Sequence, residues 1–360
     1  DTDADGVVYE FMATSDSDVE SNVVSITVKR DTVAPEGDIT IKENSIRQLL
    51  SAITFGLFFN EDVDVDITGK DDFSGVSSIQ YYRSEEILVD DELTSLTGWT
   101  DYVGTIHETA EDAEKFIYYV KVTDKAGNIT CFASNGVTFD LTAPSVTGVT
   151  NGFIYYTTQK VTVTDTNLAS VALGSEPATL ENGVLALFGN TDATYTITAT
   201  DKGGNVTTVT VTMKTIASLS ENIDGLTAEN VKSADEKTIT EVKTYADNVD
   251  TENATEEEKA ALQGIIDSCD AMLGKITATE NELSAVTDGI GGYDTDSVKS
   301  LDKEAIEELA ERIDGLLNGG NLTDDEKQNL ETVKGTAKDL LEKITATENE
   351  LSAVTDGIGG

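Results

Sequence analysis

Carboxylates dominate the side chains of this sequence that can do chemistry. In the segment NEDVDVDITGKDD, Asp62, Asp64 and Asp66 alternate with apolar residues, and Asp71 and Asp72 follow in the next turn. Alternating residues of a strand point to one face, so the first three carboxylates would lie side by side and repel one another. Calcium prefers carboxylate oxygens and would relieve that repulsion. The segment predicts either a calcium site at Asp62, Asp64 and Asp66 or a plain polar outer face of a sheet.

The segment DTDADG at the start of the sequence has the spacing of an EF-hand calcium loop. Asp1, Asp3, Asp5 and Gly6 stand at the required positions. The twelfth position is Met12, where such a loop needs a bidentate glutamate, and no helical pattern flanks the segment. We expect a solvated loop here and no metal.

No set of residues has the pattern of a catalytic site. His107 is the single histidine, and we expect it to be exposed in a loop, the polar segment TIHETAEDAEK. No G-x-S-x-G motif lies near it. With 68 Asp and Glu residues, carboxylate pairs of the glycosidase type are expected by chance. Cys131 and Cys269 lie in regions of different periodicity, so we expect no disulfide, and Cys269 falls on an apolar helical stripe as a core thiol. We predict a protein that is not an enzyme and that has no cofactor apart from calcium.

Aromatic side chains give two alternatives, stacking on sugar rings or core packing. Trp99 and Tyr102 lie in GWTDY, and tyrosines occur as adjacent pairs at 81–82, 118–119 and 155–156. Neighbouring residues of a strand point to opposite faces, so we expect one tyrosine of each pair to be in a core. Trp99 and Tyr102 are expected to close the core of the larger β-module.

The formal net charge of −44 excludes several classes of partner. A field of this sign repels phosphate backbones and anionic lipid surfaces, so we expect no nucleic acid and no membrane partner. No apolar run reaches the length of a spanning helix, so no membrane insertion is expected within this sequence. Repulsion between copies favours a monomer.

Residues 1–214 have the pattern of strands and carry one repeated hairpin. Thr and Val dominate, and polar and apolar residues alternate between turns. The hairpin recurs as YEFMATSDSDVESNVVSITVKRDTVAP, YYVKVTDKAGNITCFASNGVTFDLTAP and TYTITATDKGGNVTTVTVTMKT. We therefore place a closing hairpin of an earlier module at 1–33, a β-sandwich at 34–142 and a smaller sandwich at 143–215.

From residue 216 onward the apolar spacing is helical, and the sequence repeats with a period of 67 to 68 residues. The string KITATENELSAVTDGIGG occurs unchanged at 275–292 and 343–360. Thr255 and Thr323 each precede a glutamate by three residues, the pattern of a capping box. We predict tandem three-helix repeats at 216–292 and 293–360, with 345–360 opening a helix whose partners lie outside this sequence. Either one helix runs through 273–290 into the next bundle, which we favour, or a new helix starts at Thr277 or Thr279.

The motifs ITFGLFFNEDVDVDITGKDDFSGV, KVTDKAGNIT, DLTAPSVTGVTNGFIYYTTQKVTVTDTNLASV and ATYTITATDKGGNVTTVTVTM resemble bacterial Ig-like repeats of very large surface proteins of gut Firmicutes. The segment from 216 onward looks like the helical repeats that follow those modules. The resemblance implies all-β Ig-like sandwiches followed by all-α tandem three-helix-bundle repeats, in an extracellular protein attached to the cell wall by regions outside this segment.

Three functions are compatible with that resemblance. The favoured one is a non-catalytic stalk that projects a distal adhesive or glycan-active domain. The helical modules would otherwise bind host proteins such as immunoglobulins, in a superantigen-like manner, or the segment would be the accessory C-terminal tail of a secreted glycoside hydrolase. Host glycans are the other partner class that the resemblance implies.

Overall fold

The computed structural model describes residues 3–42, 44–45, 47–48 and 53–358. Strands occupy the chain up to Met213, and helices follow from Ile216, as the sequence predicts. The chain divides into two compact units. The first comprises Asp1–Thr147, Thr162–Gly183 and Thr196–Val209, and the second comprises Gly148–Val161, Val184–Tyr195 and Thr210–Gly360. Residues 143–215 therefore contribute to both units.

The first unit opens with an antiparallel hairpin of strands β1 (Asp3–Phe11) and β2 (Val24–Arg30). Its pairing brings Tyr9 opposite Ile26 and Phe11 opposite Val24, and all four side chains are about half exposed. The paired strands lie within residues 1–33, and the assignment of this hairpin to the end of an earlier module stays a prediction. The expected solvated loop at DTDADG was wrong, because residues 3–6 already belong to β1, where Gly6 (φ 74°) adjoins a register shift. Asp1 lies outside the described residues.

The larger β-module has two sheets with a core between them. Its elements are β3 (Glu36–Ile41), β4 (Asn44–Ser45), β5 (Arg47–Gln48), β6 (Phe55–Phe59), β7 (Val63–Lys70), β8 (Val76–Ser84), α1 (Asp90–Ser95), β9 (Thr100–Asp101), β10 (Ile106–Glu108), β11 (Lys115–Asp124), β12 (Ile129–Ser134) and β13 (Gly136–Phe139). One sheet has the order β10-β7-β3-β4. The other has the order β5-β12-β11-β13-β6, with β8 on β11 and β9 on β8.

Alternation along the strands builds this sandwich. In β7 the apolar residues Val63, Val65 and Ile67 are buried while the aspartates between them are exposed. They face the second sheet in one core, whose buried members are Ile39, Ile41, Val63, Val65, Ile67, Phe116, Tyr118, Val120, Val122, Phe132, Val137 and Phe139. Burial of this many large side chains supplies the main driving force for the module.

The expectation of one core tyrosine per pair was wrong for Tyr118 and Tyr119, which are both 1% exposed. The two rings do point to opposite faces of β11. The far face is covered as well, by a second cluster around Ile53, Ile117 and Ala133. Trp99 packs against this second cluster and Tyr102 against the main core, so the predicted core role of GWTDY is confirmed.

Residues 143–215 add eight strands: β14 (Ser145–Thr147), β15 (Ile154–Tyr155), β16 (Gln159–Thr164), β17 (Leu168–Leu173), β18 (Glu176–Pro177), β19 (Val184–Leu187), β20 (Ala193–Asp201) and β21 (Val206–Met213). In the first unit β14 pairs with β16, and β17 pairs with β18 and β20, all antiparallel. In the second unit β15 runs parallel to β21.

The helical part contains α2 (Glu236–Asp247), α3 (Glu256–Gly291), α4 (Lys303–Asn318) and α5 (Asp324–Ile358). Short 3₁₀ helices lie at Ile216–Ile223, Ser233–Asp235 and Ser300–Asp302. Helix α4 ends at Asn318, and the segment that begins with two glycines at 319 and 320 separates it from α5. Both predicted capping boxes are present, because Glu258 N donates to Thr255 Oγ1 and Glu326 N donates to Thr323 Oγ1.

Helix α3 is continuous over 36 residues and belongs to two cores. Its first half contributes Cys269, Met272 and Ile276 to the first helical core, which also contains residues of α2. Its second half contributes Val286 and Ile290 to the second helical core, shared with α4 and α5. The favoured prediction of one helix through 273–290 is confirmed, and Cys269 is a buried core thiol.

Candidate functional site

The structure places Asp64 and Asp66 on the exposed face of β7 and Asp62 directly before that strand. Each has a partner in the segment around β10, at residues 105–110. Asp62 Oδ1 accepts a hydrogen bond from Ala110 N at 2.8 Å, and Asp66 Oδ1 accepts one from Thr105 Oγ1 at 2.6 Å. Asp64 Oδ1 lies 2.5 Å from His107 Nδ1. Among the described residues these three carboxylates do not form a group close enough to share one ion. Calcium binding at this site stays a prediction.

His107 lies in a strand, β10, where the sequence suggested a loop, and 77% of its side chain is exposed. Its ring contacts Asp64 and no nucleophile, because the facing residue of β7 is that aspartate.

Two other carboxylate clusters are compact. The first carboxylate cluster is Asp31, Asp71 and Asp124, and the second is Asp140, Asp165 and Asp201. In each cluster one ligand oxygen per residue lies within 4.8 Å of the others. Both clusters belong to the first unit, and each stands where one β-module passes into the next.

The first carboxylate cluster is assembled from a linker, a turn and a strand end. Asp31 follows β2, Asp71 follows β7 and Asp124 ends β11. The turn after β7 folds around Asp71, whose Oδ1 accepts hydrogen bonds from Gly75 N at 2.7 Å and from Phe73 N at 3.2 Å. Asp31 Oδ2 accepts one from Ser74 N at 3.2 Å, so the linker is attached to the same turn.

Asn128 connects this cluster to the linker backbone. Its side-chain Nδ2 donates to Asp124 Oδ2 at 2.7 Å and to the backbone oxygens of Asp31, at 3.4 Å, and of Val33, at 3.1 Å. Two residues on, the Thr130 hydroxyl donates to the carbonyl of Pro35. The hairpin β11–β12 therefore fixes the path of the segment that enters its module.

The second carboxylate cluster repeats this arrangement. Asn205 Nδ2 donates to Asp201 Oδ2 and to Asp140 O, each at 2.7 Å. Two residues on, Thr207 Oγ1 donates to Pro144 O at 2.6 Å. The same donors, acceptors and spacing thus occur at both junctions between β-modules.

Additional hydrogen bonds hold the second linker. Asn167 donates from its side chain to Asp140 Oδ2 at 2.7 Å and from its backbone to Asp165 Oδ1 at 2.6 Å. On the other side Asp112 accepts from Leu141 N at 2.8 Å and from Thr142 Oγ1 at 2.9 Å. These hydrogen bonds lower the pKa of Asp112, so its carboxylate is charged. An open recess of about 510 Å³ borders the cluster, with Asp112, Asp140 and Asp165 in its lining.

The charge in these clusters has no basic counterpart in the described part of the chain, since none of its ion pairs involves the six aspartates. Asp124 is 2% exposed. Burial acts to raise its pKa, but hydrogen bonds from Asn128 and the adjacent backbone outweigh burial and hold the pKa below its ordinary value. An ionised Asp124 therefore stands beside two further carboxyl groups, where a cation relieves the repulsion.

The residues suit a hard divalent cation. Calcium takes about six to eight oxygen ligands, with carboxylates preferred. The hydrogen bonds to Asp71 and Asp165 fall on one oxygen of each, Oδ1, which leaves the second oxygen with its lone pairs. Thiol and imidazole ligands are absent from both groups, which disfavours zinc and copper.

At the helical junctions the capping glutamates have a second role. Glu258 Oε2 accepts from Thr255 N in the capping box, while Oε1 accepts from Thr158 N at 2.9 Å and Thr158 Oγ1 at 2.8 Å. Glu326 Oε2 accepts from Thr323 N, while Oε1 accepts from Ser233 Oγ at 2.6 Å. Each cap therefore joins the start of a long helix to the preceding part of the second unit.

Of the six aspartates in the two clusters, only Asp71 belongs to the segment that the sequence pattern singled out, and neither cluster was predicted as a site. The signal was present: the strings DTVAP and DLTAP contribute Asp31 and Asp140, and TDKAGN and TDKGGN contribute Asp124 and Asp201. Those strings indicated hairpins and linkers, and only the fold brings a linker and a hairpin turn together.

No family model and no curated protein matches the chain. Solved structures with a similar fold include the fibronectin(III)-like modules of Clostridium thermocellum CbhA (12% identity, 49% of this chain and 94% of that one, TM-score 0.28). Another is Bacteroides ovatus SGBP-B of a mixed-linkage glucan utilization locus, in complex with a mixed-linkage heptasaccharide (14% identity, 49% of this chain and 47% of that one, TM-score 0.19). A third is the sialic acid binding region of a Streptococcus sanguinis SK1 adhesin bound to 3'sLn (12% identity, 60% of this chain and 88% of that one, TM-score 0.17). At these identities and TM-scores none of the three assigns a function.

No helix among the described residues is long and apolar enough to cross a membrane.

Proposed function

We propose that this chain is a non-catalytic stem of a bacterial surface protein, which holds a functional domain at a set distance from the cell. The observation that carries the proposal is the repeated junction. Asn128 with Thr130, and Asn205 with Thr207, attach the incoming linker to the module by the same hydrogen bonds. A chain selected only to carry separate binding modules would work with free linkers, whereas a stem needs fixed ones.

The helical part supports the same role. Consecutive helical cores share α3, so no free linker separates them. Repeats that contact only their neighbours change length by copy number, which suits a spacer. The acidic charge keeps such a stem soluble and repels neighbouring copies.

Small-angle X-ray scattering of the full chain tests the stem. We expect the wild-type curve to fit one arrangement of modules, and the double variant Asn128→Ala, Asn205→Ala to need a broad ensemble. The control is Asn248→Ala, because Asn248 is exposed and its side chain donates to Thr244 O of the preceding helix turn. Asn321 is unsuitable as a control, because its Nδ2 also donates across a junction. A wild-type curve that already needs freely jointed modules would refute the stem. Specific capture of immunoglobulin or of a host glycan by the full chain would favour a binding function over the stem.

A second candidate function is calcium binding at the two junctions. It is favoured by the occurrence of a compact three-aspartate cluster twice, at equivalent places of two modules. Calcium there would bind linker, turn and strand end together, through Asp31, Asp71 and Asp124 or through Asp140, Asp165 and Asp201, and would stabilise the junction only in the folded state.

Calorimetric titration of the full chain with calcium chloride tests this candidate. Asp71→Asn and Asp165→Asn keep the hydrogen-bonded Oδ1 and remove the charge, so each is expected to remove one of two bound ions. Asp64→Asn is the matched control, because Asp64 lies on the exposed face of β7 and belongs to neither junction cluster. Absence of binding, or binding that only Asp64→Asn abolishes, would show that the junction clusters are not calcium sites.

A further inference from the structure

The two copies of KITATENELSAVTDGIGG have identical sequences and different surroundings. In α3 the copy at 275–292 places Val286 (0% exposed) and Ile290 (1%) in the second helical core, with Leu283 packed against it. In α5 the copy at 343–360 leaves the equivalent residues outside any core. Leu351 is 66% exposed, Val354 57% and Ile358 80%. The same surface is therefore covered in one place and open in the other.

The covered copy shows what chemistry fits the surface. The covering residues come from α4 and the first half of α5, and include Ile306, Ile313 and Leu330. These residues form an apolar helical face against which Leu283, Val286 and Ile290 pack.

Two further contacts make the fit specific. Arg312 of α4 forms a bidentate pair with Glu282, Nε to Oε1 at 2.7 Å and Nη2 to Oε2 at 2.9 Å. This pairing lowers the pKa of Glu282 and keeps it ionised. A Cβ on Gly289 would lie 2.9 Å from Leu309 Cδ2, so the glycine allows α4 to approach α3 closely. Glu350 and Gly357 occupy the equivalent positions of the second copy.

We infer that the last part of α5, with Leu351, Val354 and Ile358, forms a docking surface for a further helical hairpin of the type formed by residues 293–344. The occupant presents aliphatic residues at the positions of Ile306, Leu309 and Ile313, and an arginine at the position of Arg312. A second copy of the folded chain does not supply it, because the matching face of its own hairpin is already covered by Val286 and Ile290. The occupant is a repeat whose face is not yet paired.

Extending the full chain tests this inference. Residues 293–344 are duplicated directly after Gly360, so that the second copy of the string is followed by the segment that follows the first. Hydrogen exchange measured by mass spectrometry on residues 345–358 is expected to slow at least tenfold relative to the original chain, because an unpacked helix end opens readily.

The matched control is the extended chain with Val354→Asp and Ile358→Asp, in which exchange is expected to return to the rate of the original chain. The same two substitutions in the original chain are expected to leave its unfolding unchanged, since both side chains are exposed. Equal exchange with and without the extension would overturn the inference, as would protection that survives the aspartates. Concentration-dependent protection of 345–358 in the original chain would also overturn it, since a second copy would then be the occupant.

Discussion

The repeated string allows burial to be measured with the local sequence held constant. Ile290 and Ile358 have the same residue at every neighbouring position back to Lys275 and Lys343, so helix propensity and side-chain neighbours along the helix are equal. Ile290 is 1% exposed and Ile358 is 80% exposed. Replacing each with alanine changes the buried area at one position and almost nothing at the other.

The magnitude follows from that contrast. Ile→Ala removes about three carbon groups, worth ~0.8 kcal/mol each when they are buried. The cavity left behind places such core substitutions at about 2–5 kcal/mol. The higher helix propensity of alanine returns up to ~0.5 kcal/mol at both positions. We expect Ile290→Ala to lower the free energy of unfolding of the second helical core by about 2.5–4 kcal/mol, and Ile358→Ala to change it by less than ~0.5 kcal/mol.

Urea denaturation of the full chain, followed by the helical circular dichroism signal, measures both values. Hydrogen exchange within 303–344 assigns the transition to the second helical core. Equal losses for the two variants would refute the reasoning, because Ile358 would then have a packing partner. A negligible loss for Ile290→Ala would refute the core itself.

Three further predictions concern the junctions. Asn205→Ala removes the donor to Asp140 O and Asp201 Oδ2. We expect the free energy of unfolding, measured by chemical denaturation, to fall by about 1–3 kcal/mol. An unchanged denaturation midpoint would contradict this role of Asn205. Burial acts to raise the pKa of Glu326, but hydrogen bonds from Ser233 and Thr323 hold it below its ordinary value of 4.5. Its stabilising effect is then complete above that value and is lost as pH falls through the lower folded-state pKa, so Glu326→Gln should flatten the acid limb of a stability–pH curve. A Cβ on Gly320 would lie 2.7 Å from Glu229 O. Gly320→Ala is therefore expected to lower the thermal midpoint, whereas Gly264→Ala, with open space around it, should raise it slightly.

The sequence predicted those parts of the fold that depend on local pattern. Alternation predicted β7. The 3–4 spacing of apolar residues ran through 273–290 with only Glu280 out of place, which favoured the continuous α3 over a new helix start. The tyrosine pair at 118–119 shows where pattern stops being sufficient. Alternation gives the two directions in which the rings point, but whether the second face is covered depends on residues such as Ile53, which are remote in sequence.

The candidate site was predicted less well, for a physical reason. Asp62, Asp64 and Asp66 were visible because they are neighbours on one strand, and their spacing along that strand gives each a separate partner. A compact oxygen cluster needs carboxylates from separate segments, such as the linker at Asp140 and the strand end at Asp201. Their proximity is a property of the tertiary structure.

The shared helix α3 also affects how the gene of this protein changes. The first of the two identical strings spans the point where one helical core ends and the next begins. An exchange between the two strings joins the first half of one long helix to the second half of another without altering a residue. Unequal recombination at the strings therefore adds or deletes one whole repeat, and the interface on each side arrives complete. Chains that arose in this way would differ in length by whole repeats, with no new contact having to evolve.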